Sequence, residues 1–546
     1  MTDFIFFIIL IIGMITVVIG TEIYQKIQFR KAIAAHLKYR YKFDDIERSF
    51  AFYDTYYKKY TDLTIQDESP LHWIDDKTWS DLNMLDMFKA LNFTYTSVGE
   101  NHLYHVLRLQ SSLSHYSIWE SIKENTAFHQ KLVTLLAKLG KQTYPNYDWQ
   151  SYQYRFHPIY YMLSFLPILS ILLALWHIEL SIIVLPISLC INYIVSLRFN
   201  HYVDRDVDSL FFTGRIIHTT NKISQLQLTP NFEHDLDKLN QVNRWRFLLL
   251  KAQTIPGYIV LLIKYMFLID IHLYHILVKR FKMNHETIHA CYRYVGEIDA
   301  LLAVDQWRYH QAYCTTPSVS KNFYFTSLVH PLVNEAVPND FDFDYNVLLT
   351  GSNASGKSTF MKATAINLIL AQAINTVTAE QFEFQPGVVK TAMANADDVL
   401  TGDSYFMAEI KSLKRLLNIH PKTPHYYFID EIFKGTNTAE RIAASTSVLE
   451  YLSQFHQLKM IAATHDIELT YTLDAHFKNY HFFEQIYEDA IHFDYKIKEG
   501  PANTRNALEL IRIMKFPAEI YTQAQQYVSS FEASKQKGLG HSRPVN

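Results

Sequence analysis

Residues 348–358 of this 546-residue chain read LLTGSNASGKS, and the spacing G-x-x-x-x-G-K-S within them constrains the fold more than any other feature. A loop of this kind works only between a strand and a helix. Gly351 and Gly356 let the backbone curl, so that the N–H groups of Ser352, Asn353, Ala354 and Ser355 point at phosphate oxygens while Lys357 reaches the terminal phosphates. The Ser358 hydroxyl is placed to ligate Mg²⁺, with Thr359 beside it at the start of the helix. Asn346–Thr350 reads as a short apolar strand and Thr359–Ala373 has helical periodicity, so the positive end of the helix faces the anion. The stretch predicts an α/β nucleotide-binding domain that takes a nucleoside triphosphate with Mg²⁺.

Hydrolysis needs a carboxylate to hold the metal and a second one to activate water, both at the end of a strand beside the phosphate loop. Residues 425–431, HYYFIDE, supply them: Asp430 is the expected magnesium-side residue and Glu431 the expected general base. A further apolar strand, residues 459–465, ends in His465, placed to sense the terminal phosphate. Between the loop and the acidic strand, residues 396–409 read ADDVLTGDSYFMAE, in which Ser404 can cap the helix that contains Glu409.

Hydrophobic residues make up 49% of the chain and aromatics 15%, more than a soluble core needs, and membrane segments are the natural sink for the surplus. Phe4–Gly20 is apolar apart from Thr16 and comes close to the ~20 residues that cross a bilayer core. It has no basic n-region and no small-residue cleavage site, so a retained anchor is expected over a signal peptide. Pro158–Leu197 reads as a hairpin of two crossings, broken near Trp176–Glu179. Lys26, Arg30 and Lys31 after the first segment, with Arg155 and Arg198 flanking the hairpin, put the ATPase in the cytoplasm of a multi-pass cell-membrane protein. Ile255–Ile269 is interrupted by Lys264 and closed by Asp270, and reads as buried core. The formal charge of −3 gives no global basic field, so any DNA contact needs a local patch. Cys190, Cys291 and Cys314 have no metal-ligand spacing, and no structural metal is expected.

Taken together, these motifs resemble the ATPase domain of the MutS mismatch-repair family. Thr350–Thr359 matches the family's T-G-P-N-x-G-G-K-S-T, Asp397–Glu409 its serine-bearing loop, Asp430–Thr438 its D-E-x-x-x-G-T-S-T and Ala463–Leu469 its A-T-H-x-x-E-L. His330 and Asn339 resemble the family's segment near the nucleotide base; Thr94–Gly99 resembles the start of its helical core and Ile298–Leu302 the last core helix. The resemblance implies an α/β P-loop NTPase of the ABC-type or MutS-like kind, C-terminal to a mainly helical core, with three transmembrane helices added. The expected segments are an anchor (1–24), a linker (25–74), core (75–155 and 199–320) split by the hairpin (156–198), the ATPase (321–490), a helix-turn-helix dimerisation segment (491–530) and a tail (531–546). It further implies a homodimer in which Ser404 completes the partner's nucleotide site. No Phe-x-Glu wedge lies ahead of the core in this sequence, where a membrane anchor is read instead, and the stretch between the two core landmarks is short, so the long levers and DNA clamp are expected to be truncated or absent. Two functions follow as alternatives: a membrane-anchored ATPase that still handles mismatched or branched DNA, or one that has lost DNA and drives a membrane process. An ABC transporter shares the phosphate loop, but no LSGGQ-like segment precedes Asp430.

Overall fold

The computed structural model describes residues 2–39, 42, 57, 70–142, 156–244, 263–352, 355–393, 405–434, 436–487, 490–502 and 507–539. Two compact units emerge, Met1–Glu68 with Leu91–Val106 and Gln110–His310, and Ser69–Ala90 with Leu107–Leu109 and Gln311–Asn546. The helices of the N-terminal half are, in order, α1 (Thr2–Tyr39), α2 (Asp76–Asp81), α3 (Met84–Leu91), α4 (Ser97–Leu107), α5 (Ser117–Glu124), α6 (Thr126–Leu139), α7 (Ile159–Leu173), α8 (Ile178–Ser224), α9 (Asp237–Asn243), α10 (Ile269–Met283) and α11 (His285–His310). Of these, α2 and most of α3 belong to the second unit, although the sequence reading counts residues from 75 onward with the helical core.

The centre of the first unit is α11, buried almost without interruption from Ala290 to Trp307. Its Asp299 brings the two sequence landmarks of the core together. The carboxylate accepts hydrogen bonds from the Tyr95 and Thr96 amides (2.9 and 2.8 Å) and from the Thr96 hydroxyl (2.6 Å), which in turn caps α4 by accepting from the Gly99 amide at 2.9 Å. A Cβ on Gly99 would lie 2.1 Å from Asp299 Oδ2, so a glycine is required there. Glu297, two residues earlier in the same helix, gathers the Ser114 amide and hydroxyl and the His115 ring.

α7 and α8 form the expected hairpin, turning over 174–177, but the spans differ from the prediction of three. Among the described residues one helix is long and apolar enough to cross a membrane, Ile178–Val203 within α8. α7 has 15 residues, short of the ~20 a full crossing uses. The first predicted span falls within α1, most of whose N-terminal side chains lie outside the described residues. Nor does the hairpin end at 198: α8 runs on unbroken to Ser224, 47 residues in all. Large apolar side chains of the hairpin, among them Phe165, Leu169, Trp176, Ile182, Ile187 and Ile194, are exposed, whereas Ser170, Ser181, Ser188, Asn192 and Ser196 are buried. Inter-helix polar bonds join the two arms, Ser181 Oγ donating to the Ser170 carbonyl at 2.6 Å and Asn192 Nδ2 to that of Leu163 at 3.0 Å. The predicted buried segment 255–269 is described from Ile263 onward, and there Lys264 pairs with Asp270 at 2.8 Å with both side chains buried. Read in sequence as charges that interrupt an apolar run, the two neutralise one another inside it.

In the second unit the strands are β1 (Ser318–Val319), β2 (Tyr324–Leu328), β3 (Asn339–Asp342), β4 (Val347–Thr350), β5 (Gln381–Phe384), β6 (Val388–Met393), β7 (His425–Asp430), β8 (Leu458–Ala463), β9 (Lys478–Tyr487) and β10 (Ala490–Glu499). The helices are α12 (Lys357–Ile374), α13 (Tyr405–Leu416), α14 (Thr438–Ser453), α15 (Glu468–Thr472), α16 (Ala507–Ile513) and α17 (Ala518–Leu539). A small sheet runs β1-β5-β2-β3, and a large one β10-β9-β4-β8-β7-β6, in which only β10 is antiparallel to its neighbour. β4 is buried along its whole length and β8 everywhere but at Lys459, as expected where helices cover both faces of a parallel sheet. Leu349, Ala463, Asp430 and Met393 stand in one row across it. Every loop that follows those residues therefore leaves from the same carboxyl edge, where open α/β sheets bind ligands.

Candidate functional site: a phosphate loop and its acidic strand

The phosphate loop joins β4 to α12, and two positive-φ glycines shape it. Gly351 (φ +138°) passes so close to β9 that a Cβ would stand 2.8 Å from the Phe482 carbonyl; Gly356 (φ +110°) abuts the Tyr495 ring. Lys357 is buried and its Nζ donates to the carbonyls of Gly351 and Ser352, both at 2.8 Å, while Ser355 Oγ donates to the Ser352 carbonyl at 2.9 Å. The loop is thus pre-curled around its own lysine. Asn353 and Ala354 lie outside the described residues.

Ser358 Oγ donates to Asp430 Oδ2 at 2.6 Å, joining the first turn of α12 to the end of β7. Asp430 Oδ1 is buried without a hydrogen-bond partner. A hard cation that prefers oxygen ligands fits this pair, since it satisfies the orphaned carboxylate oxygen and the hydroxyl together. Glu431 follows in the left-handed region (φ +54°), its amide donating to the Ala463 carbonyl at 3.0 Å. Its Oε1 lies 2.8 Å from His465 Nε2, and its Oε2 pairs with Lys434. Burial, with Lys357 and Lys434 nearby, holds His465 below its ordinary pKa, so the neutral ring donates to the carboxylate.

Two supports went unassigned in the sequence. Arg441 of α14 forks onto Asp466 (2.8 and 2.7 Å), and the Asp466 amide donates to Thr464 Oγ1 at 3.0 Å, fixing the turn that carries His465. Lys434 is the other: its amide donates to Glu409 Oε1 of α13 at 3.2 Å, and Phe433 (φ +60°) packs on Phe406 of the same helix. Only their place beside the acidic and histidine motifs hints at these roles. Ser404, immediately before α13, lies outside the described residues.

A cavity of about 580 Å³ opens between the loop and the 328–339 segment, lined by residues that include Ser352, Lys357, Thr359, His330, Asn339 and Tyr495. That volume suits a nucleotide-sized ligand. His330 is kept neutral, its pKa lowered to about 4 by burial and then by Lys362, and its Nδ1 accepts from the Leu332 amide at 3.2 Å. Asn339 forms part of the wall, but its amide is committed to backbone: Nδ2 donates to Val337 and Tyr495 carbonyls, and Oδ1 accepts from the Ile497 amide at 2.9 Å. Its visible work is to fasten β10 beside the cavity.

Residues 347–532 match the family model of MutS domain V. Over 219 residues the chain is 32% identical to the DNA mismatch repair protein MutS of Staphylococcus haemolyticus, covering 38% of this chain and 25% of that protein. With the protein of the same name from Staphylococcus aureus it shares 31% over 258 residues, 44% of this chain and 29% of the relative. For Staphylococcus saprophyticus the figures are 29% over 270 residues, 47% and 30%. The chain therefore spans less than a third of the length of these curated relatives. Over the segment that carries the phosphate loop, residues 347–532, the chain is similar to the MutS family.

Proposed function

We propose that this chain is a membrane-anchored, MutS-like ATPase that works as a homodimer. The observation that carries the reading is the contact of Ser358 with Asp430 and of Glu431 with His465, with Ser358 and Glu431 lining the cavity. Backbone N–H groups of the loop and the N-terminus of α12 bind the phosphates, and Lys357 exchanges its two carbonyl partners for phosphate oxygens. Ser358 and Asp430 would hold Mg²⁺, which when bound neutralises charge on the phosphates. Glu431 takes a proton from the attacking water as ATP is cleaved to ADP and phosphate, and His465 orients that carboxylate through the 2.8 Å contact. The serine loop preceding α13 leaves the same sheet edge after Met393, which supports Ser404 reaching a nucleotide across a dimer.

Membrane anchoring is supported by the inverted polarity of the hairpin. Apolar side chains outside and small polar ones between the helices suit a lipid surround, in which helices associate through small residues and hydrogen bonds rather than through hydrophobic burial. The names of the relatives carry DNA handling to this chain as a proposal, whereas the hairpin favours the alternative, an ATPase that serves a membrane process.

Glu431→Ala is expected to retain ATP binding and lose steady-state turnover by at least ~10²-fold; unchanged turnover removes the general-base role. Lys357→Ala is expected to lose nucleotide affinity. Mixing Ser404→Ala with Glu431→Ala protein should restore part of the activity, and hetero-dimers without complementation would argue against action in trans. Turnover of the detergent-solubilised protein with homoduplex, mismatched and branched DNA across a salt series separates the two functions: stimulation that weakens steeply with salt supports DNA, and indifference to all three supports the membrane reading.

A further inference from the structure

Glu431 is bracketed more tightly than a free general base needs to be. One carboxylate oxygen meets His465 and the other Lys434, three residues on, so both are occupied. The intervening turn holds two non-glycine residues, Glu431 and Phe433, in the left-handed region. Such a conformation persists only where the surroundings enforce it. The enforcing contacts come from α13, whose Glu409 accepts the Lys434 amide at 3.2 Å and whose Phe406 packs on Phe433.

We propose that Lys434 is a positioning residue that clamps the Glu431 carboxylate in a resting pose, and that α13 holds the clamp shut until a nucleotide is engaged. The inference rests on Glu431 being the general base. A carboxylate held by an ammonium on one oxygen and by His465 on the other is turned from the water it must approach, and removal of the ammonium frees it to swing. Because the Lys434 side chain is 43% exposed, solvent screens the pair and the clamp is modest. Its strength falls with ionic strength. Because Glu409 and Phe406 both sit on α13, a shift of that helix reaches Glu431 through Lys434.

The test measures basal ATP turnover of the full-length protein in detergent, together with the dissociation constant for a non-hydrolysable ATP analogue, for wild type, Lys434→Ala, Lys434→Arg, Glu409→Ala and Glu431→Ala. Lys434→Ala is expected to raise kcat about fivefold, or about 1 kcal/mol, with KM and analogue affinity unchanged. Added salt should raise the wild-type rate and leave that of Lys434→Ala unmoved, Lys434→Arg should bring kcat back toward wild type, and Glu409→Ala should change kcat in the direction of Lys434→Ala. A fall in kcat for Lys434→Ala with analogue binding intact overturns the clamp and makes Lys434 a stabiliser of the reaction; an unchanged kcat with no loss of salt response overturns it as well. Turnover surviving in Glu431→Ala would instead overturn the general-base reading beneath it, so the two failures are distinct.

Discussion

At the scale of single residues, the positions that matter most are those where a side chain has no substitute. Gly99 is the sharpest case, because the space its Cβ would need is filled by the Asp299 carboxylate that orders the entry to α4. Gly99→Ala is expected to cost roughly 2–4 kcal/mol, the sum of overpacking and a displaced cap, read as a lower denaturation midpoint with an unchanged denaturant slope. Glu431 and Lys357 differ in kind. They are placed by short contacts within the loop and strand-end motifs, and their substitution alters chemistry without emptying a core. That contrast explains why the candidate site is legible in the sequence: Gly351, Lys357, Asp430, Glu431 and His465 stand at fixed spacings from local strand ends, which a pattern of residue types can carry. Asp299 was not legible, since a carboxylate that accepts from backbone some 200 residues earlier leaves no local trace.

Among the elements, β6 is an edge strand of the large sheet, and α2 covers it. Asp81, with no solvent exposure, accepts from Thr391 Oγ1 (2.7 Å) and the Met393 amide (3.1 Å), while Lys77 donates to the Met393 carbonyl and pairs with Asp81 at 2.8 Å. This strap closes an edge that would otherwise invite pairing. It also fixes the last residue before the serine-bearing loop. Asp81→Ala leaves two buried donors and the Lys77 ammonium unmatched, for an expected loss of about 2–4 kcal/mol. Because β6 leads into that loop, turnover should fall more than ATP-analogue binding does; equal losses of both would mean that the strap serves stability alone. The sequence reading gave residues from 75 onward to the helical core, because α2 is short and its partners lie more than 300 residues away. It also divided α8 at residue 198, where apolar composition gives way to charge; the hydrogen-bonded helix ignores that change, since helix propensity continues through both stretches.

For the molecule as a whole, buried ionisable groups set the response to pH, and the solvent around the hairpin sets its location. Burial lowers His102, His330 and His425 to about 4. Each folded-state pKa is depressed below 6.5, so the stability contributed is complete above 6.5 and is lost as pH falls toward 4, by at most ~1.4 kcal/mol per pH unit for each group. Asp299 opposes them: burial raises it to about 6, so its contribution is present below 3.8 and is lost as pH rises toward 6. Three groups against one predict a net loss of stability between pH 7 and pH 5, measured as a fall in the denaturation midpoint, and His425→Phe should flatten part of that slope. The hairpin supplies its own reporter. Cys190 is exposed on the stretch of α8 that has membrane-spanning length, Cys314 is half-buried in the second unit and Cys291 is buried. In phosphatidylcholine nanodiscs, whose two faces are both open to reagent, a water-soluble maleimide should label Cys314 and spare Cys190 until SDS is added. Hydrocarbon that covers the exposed isoleucines of α8 also covers the thiol among them, and it excludes both the charged reagent and the hydroxide needed to form thiolate. Cys190 labelled as fast as Cys314 would put the hairpin in water. Its outward apolar side chains would then need a protein partner, and the hairpin could not be what carries the protein's movement into a membrane.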